Sequence, residues 1–110
     1  MDYKERMAIE RRVLTNLVET ARKHGYIIIK GNDGEDWNRL DTLDEILEMV
    51  FSVDECRLGF RHTTGGAYQS VYIVLGNDGW DCIADNTCGT PEWDAVIAEV
   101  DAFCNEGEGT

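Results

Sequence analysis

Apolar positions recur along this chain with two spacings, which divide it into helices and strands. Over residues 3–24, Tyr3, Met7, Leu14, Leu17, Val18 and Ala21 fall on one side at helical spacing, the pattern of an amphipathic helix. Gly25 stops it, and Arg22, Lys23 and His24 fill its last turn, where positive charge suits the helix dipole. Glu10 interrupts the stripe beside Leu14 and Leu17. An unpaired buried carboxylate is too costly, so Glu10 is expected at the edge, bonded to Arg6 or to an arginine of the sheet. Tyr26 to Lys30 reads as a strand, and Gly31-Asn32-Asp33-Gly34 turns the chain. Thr42 and Glu45 form a capping box for a helix over 42–51 that buries Leu43, Ile46, Leu47 and Val50.

Strict alternation follows. Cys56, Leu58 and Phe60 alternate with Arg57, Gly59 and Arg61, which predicts a half-buried strand. Thr63 to Gly66 reverses the chain. Val71 to Leu75 belongs to a long strand starting at Tyr68, and Asn77-Asp78-Gly79 reads as a tight turn with positive φ at glycine or asparagine. Trp80 to Ala84 is then its partner, so Ser70 to Asp85 forms the central hairpin. Thr90 and Pro91 open the last helix as N-cap and first helical residue. Its stripe is Trp93, Val96, Ile97, Val100, Phe103 and Cys104, with Ala95, Ala98 and Ala102 opposite.

These elements predict one α+β domain over 1–104 and a flexible acidic tail over 105–110, where Gly107 and Gly109 should let the chain fray. The sheet is antiparallel with three to four strands, the helices cover one face, and the order is α-β-α-β-β-β-α. The tetrapeptide GNDG occurs at 31–34 and again at 76–79. The helices that follow stand at different offsets, which favours repeated turn chemistry over an internal duplication.

Charge changes the picture more than composition does. The formal net charge is −12 over 110 residues. No Lys or Arg follows Arg61, against the carboxylates Asp78, Asp81, Asp85, Glu92, Asp94, Glu99, Asp101, Glu106 and Glu108. Lys4, Arg6, Arg11, Arg12, Arg22 and Lys23 lie in the first helix, where Glu5 and Glu19 break up their face as on an ordinary solvated surface. Direct nucleic-acid binding needs clustered positive charge. The second half has none, so the expected partner is a basic protein or nucleoprotein complex. No apolar run approaches the ~20 residues of a membrane span, and the charged first residues do not read as a secretory signal. The expected location is the cytoplasm of a bacterial host, where Cys56, Cys82, Cys88 and Cys104 should be reduced.

Candidate chemistry thins out on inspection. The cysteines form no Cys-x-x-Cys pair and read as small core residues rather than zinc ligands. A cysteine nucleophile needs a histidine, but His24 ends a helix and His62 borders a turn. Asn32, Asp33, Glu35 and Asp36 lack the alternation and the closing bidentate Glu of a calcium loop. No glycine loop has phosphate-binding spacing. No catalytic residue, cofactor or metal is therefore expected, and the interest lies in the surface. Asp33, Glu35, Asp36, Asp78, Asp81 and Asp85 are the candidate contacts to a partner. Trp37 and Trp80 are aromatic anchors or core, and Trp93 is core.

The run VYIVLGNDGWDCIADNT from Val71, leading into the helix PEWDAVIAEVDAF, resembles small acidic accessory proteins of bacterial phages and plasmids. The likeness covers about the last third of the chain and carries over no catalytic residue. It implies a mobile-element setting, in which small acidic proteins block host defence or restriction, anti-CRISPR proteins among them. The resulting expectation is a non-enzymatic protein that binds and inhibits a basic, nucleic-acid-binding host protein. The alternatives are a homodimeric structural or regulatory protein and a small ligand-binding domain or enzyme.

Overall fold

In chain order the elements are α1 (Tyr3–Lys23), β1 (Tyr26–Asn32), β2 (Trp37–Arg39), α2 (Leu43–Phe51), β3 (Glu55–His62), β4 (Tyr68–Val74), β5 (Ile83–Asn86) and α3 (Pro91–Glu108). The computed structural model describes residues 2–76, 78–87 and 90–109. Asn77, part of the turn reading, and Cys88, part of the cysteine reading, lie outside the described residues. The strands make a five-stranded sheet ordered β2-β1-β3-β4-β5, antiparallel at every pairing. The α+β architecture follows the sequence pattern, with one strand more than the three to four expected.

Alternation in the central strand β3 decides which face is buried. Cys56, Leu58 and Phe60 point inward with Tyr26 and Ile28 of β1 and Val71 and Ile73 of β4. Onto them pack Leu14, Leu17, Val18 and Ala21 of α1, Ile46, Leu47 and Val50 of α2, and Trp93, Val96 and Val100 of α3. Trp93 is wholly buried, its ring centroid 5.0 Å from Tyr26 and 5.3 Å from Phe60. Burial of so large an aromatic contributes more than any aliphatic in the core. The helix starts follow local chemistry. Thr42 Oγ1 accepts the Glu45 N–H at 3.2 Å, and Glu45 Oε1 accepts the Thr42 N–H at 3.1 Å. Thr90 Oγ1 accepts the Trp93 N–H at 3.2 Å.

Several expectations need correction. The added strand β2 is exposed along its whole length, so no apolar alternation announces it. It forms because the Asp33 turn folds it back onto β1, in the register Lys30↔Arg39 and Asn32↔Trp37. The central hairpin is not tight: β4 ends at Val74, β5 begins at Ile83, and a loop spans 75–82. Cys82, at the end of that loop, is fully buried, as expected of the cysteines. The last helix runs on to Glu108 rather than stopping at Cys104. It passes through Gly107, where a Cβ would stand 2.2 Å from the Trp80 ring, so the glycine lets Trp80 approach closely. Glu10 is not at an edge but 1% exposed. The expected partner is nonetheless Arg6, whose Nε forms an ion pair with Glu10 Oε1 at 3.5 Å, while Oε2 accepts the Gly76 N–H at 3.0 Å.

Candidate functional site

Strand direction gathers most of the predicted acidic residues. β1 ends at Asn32, which pairs with Arg57 near the start of β3. Val74, the end of β4, pairs with Glu55. The turn over 33–36 and the loop over 75–82 therefore leave the sheet at the same end. They lie two strand spacings apart, or about 10 Å. Asp33, Glu35, Asp36, Asp78 and Asp81 all belong to this end, with Asp54 and Glu55 between them.

Their roles differ. Asp33 holds its own turn: Oδ1 accepts the N–H of Glu35 at 3.0 Å and of Asp36 at 2.9 Å. Those bonds favour the charged form and depress the Asp33 pKa. Asp78 does the same for its loop, accepting from the Trp80 and Asp81 N–H groups at 3.0 and 3.3 Å. The Asp81 pKa is raised, first by desolvation and then by the neighbouring Asp78 charge. Glu35, Asp36 and Asp81 project into solvent. Gly79, at φ +97°, lies against Ile9 and the Arg6 carbonyl, so α1 fixes the loop.

The other predicted residues go elsewhere. Asp85 sits on β5 opposite Tyr72, away from the loop. Trp80 packs under the helices, its ring 6.1 Å from Phe103 and 5.2 Å from the Arg12 guanidinium, which makes it part of the packing rather than a free anchor. Trp37 is 45% exposed on the edge strand β2.

Trp37 belongs to a surface that sequence reasoning missed. None of the described helices covers the second face of the sheet, where Arg57 and Arg61 of β3 stand opposite Tyr72 and Tyr68 of β4. Lys30 and Arg39 pair across β1 and β2 on the same side. Lys30 Nζ lies 4.6 Å from the Trp37 ring centroid and 5.2 Å from that of Tyr68. The Arg57 guanidinium lies 4.8 Å from the Tyr72 ring. Arg39 Nε is 3.3 Å from Asp41 Oδ1, and the Tyr72 hydroxyl bonds Glu55, which raises its pKa. A groove of about 510 Å³ runs along this face, lined by Ile27, Lys30, Trp37, Arg39 and Arg61 among others. The available signal was the alternation of Arg57, Gly59 and Arg61 on the outward side of β3.

Among the described residues, reactive groups do not converge. Burial pushes the Cys56 and Cys82 thiols up to about 12 and Cys104 to about 11, which keeps them protonated and unreactive. His62 Nδ1 accepts the Gly65 N–H at 3.2 Å and serves the β3–β4 turn. His24 lies between Glu99 and Glu92 of α3, with Lys23 also bonded to Glu99. Hydrogen bonds to Glu99 and then Glu92 raise the His24 pKa. Among the described residues, no cluster of His, Cys, Asp and Glu could hold a metal ion, and no helix is long and apolar enough to cross a membrane. No protein-family model, curated protein or solved structure matches the chain.

Proposed function

We propose that this chain is a non-enzymatic binding protein. Its acidic end engages a basic, nucleic-acid-binding protein and inhibits it by occupying the groove that would hold phosphates. The observation behind this reading is the convergence of the 33–36 turn and the 75–82 loop at one end of the sheet. Asp33 and Asp78 each hold their own turn by backbone bonds, and α1 packs against the second at Gly79. Complementary charge accelerates encounter and rejects wrong partners more than it adds raw affinity. The resemblance to mobile-element accessory proteins supports an anti-defence setting inside a bacterial cell.

The test reverses Glu35, Asp36 and Asp81 to Lys together. Asp33 and Asp78 stay, since their side chains hold the turns. A protein captured from bacterial lysate by the wild-type chain should be basic and released by salt. The triple variant should associate with it at least ten times more slowly, with a flatter salt dependence. The matched control reverses Lys4, Arg11 and Arg22, leaving Arg12, which packs on Trp80, in place. If that control abolishes capture while the acidic variant is silent, the acidic end is not the interface.

A further inference from the structure

We propose that the uncovered sheet face binds single-stranded nucleic acid, with bases stacking on Tyr68, Trp37 and Tyr72 and phosphates meeting Lys30, Arg57 and Arg61. This surface is distinct from the acidic end, and the proposal stands whether or not that end binds a protein.

The first ground is the interleaving of cations and rings. A surface for a single strand needs positive charge along the backbone and aromatic planes for the bases. Strand pairing supplies both on one side: Arg61↔Tyr68 and Arg57↔Tyr72 alternate along β3 and β4, while Lys30 stands between Trp37 and Tyr68. Tyr68 and Tyr72 lie four residues apart on one strand, or about 13 Å.

The second ground is Gly59. It faces outward in the middle of the central strand, and the Tyr68 ring lies across it. A Cβ at Gly59 would stand 2.5 Å from the Tyr68 hydroxyl and about 3 Å from two ring carbons. The missing side chain lets the ring lie down on the sheet, while 43% of Tyr68 stays exposed. A ring laid on a sheet in this way is a stacking platform for a base.

The third ground is the match of charge. A basic partner would meet Arg57 and Arg61, both exposed, and an apolar one would desolvate them at high cost. An acidic peptide would satisfy the cations but leave the ring faces without a planar partner. The net charge of −12 opposes any polyanion at long range. Salt screens that field over about 8–10 Å, so a strand in contact responds first to the local charges, among which Lys30, Arg57 and Arg61 outnumber Asp85 and Glu55 beside Tyr72. Affinity should therefore be modest and strongly salt-dependent.

The experiment uses fluorescein-labelled dT15 and rU15 in anisotropy titrations with the intact chain at 50 and 200 mM salt. Neutralising three to four phosphates of a single strand predicts a loss of about 20- to 50-fold between those salts. Arg57→Glu with Arg61→Glu should weaken binding at least ten-fold and flatten the salt dependence. Trp37→Ala should weaken it about five-fold or more through lost stacking while leaving the salt slope intact. Circular dichroism confirms folding of each variant, and Trp37→Ala, on an exposed edge, serves where a Tyr68 variant would disturb Gly59. Absence of binding to both oligonucleotides at 50 mM salt overturns the proposal. So does equal competition by polyglutamate, which makes the face an acidic-peptide site. A dimer detected by light scattering and abolished by the arginine reversals also overturns it, making the face a contact between copies.

Discussion

Glu10 and Gly76, far apart in sequence, meet at 3.0 Å, where the buried carboxylate accepts the glycine N–H. The bond joins the first helix to the loop that carries Asp78 and Asp81. Removing it should loosen the acidic end before it harms the core. Glu10→Ala should cost about 2 kcal/mol, because the Gly76 N–H loses a charged acceptor. Glu10→Gln, which keeps an acceptor oxygen, should cost less. Urea unfolding of both variants checks this, and equal losses would mean that the Gly76 bond is immaterial.

Two glycines of positive φ should respond differently to a side chain. Gly34 has φ +104° and open space around it; Gly79 has φ +97° and would place a Cβ 2.8 Å from Ile9 Cγ2. Gly34→Ala should cost about 1 kcal/mol from backbone strain alone. Gly79→Ala should cost more, and Gly79→Val more again. Thermal melts of the three proteins rank them, and parity between Gly34→Ala and Gly79→Ala would contradict the packing described.

The histidine between two carboxylates predicts a pH dependence of definite sign. The folded His24 pKa is raised above its usual 6.5 by Glu99 and Glu92. The stabilisation is therefore fully present below the unfolded pKa and disappears as pH rises through the folded one. The Glu99 pKa is lowered, first by Lys23 and then by His24, so the carboxylate stays charged to below its ordinary range. His24→Gln should lose stability against wild type at pH 5.5 and converge with it at pH 9. Denaturant midpoints at both values measure the gap; a gap that widens at high pH contradicts the assignment.

The buried thiols should be silent. With Cys56 and Cys82 pushed up to about 12, native protein at pH 7.5 should leave both unmodified by iodoacetamide, and unfolded protein should react. Peptide mapping by mass spectrometry separates these sites from Cys104. Rapid alkylation of Cys82 in the native state would show that the 75–82 loop opens readily.

What the sequence revealed was local. Thr42 and Glu45 announce their capping box within one turn, and Cys56, Leu58 and Phe60 mark a buried face by period alone. What it concealed depended on distant pairing. β2 contains Trp37, Asn38 and Arg39, all exposed, and exists only through its partner. Lys30 was hidden by an irregularity. The β1 register shifts between Ile28 and Lys30, so Lys30 leaves the buried face that strict alternation from Ile28 would assign it. That single bulge puts a cation beside Trp37 and Tyr68. The acidic residues were legible as a composition, but the division of Asp85 from Asp78 and Asp81 required the loop.

The two outer strands also decide how a partner can approach. β2 has three residues and β5 has four; β2 presents Arg39 and β5 presents Asp85. Short, charged borders of this kind offer little unpaired backbone for another chain to zip onto. A partner is thereby denied strand addition, the commonplace route of peptide capture by sheets. Recognition is left to side chains, and the same feature guards an open aromatic surface against stacking into fibres.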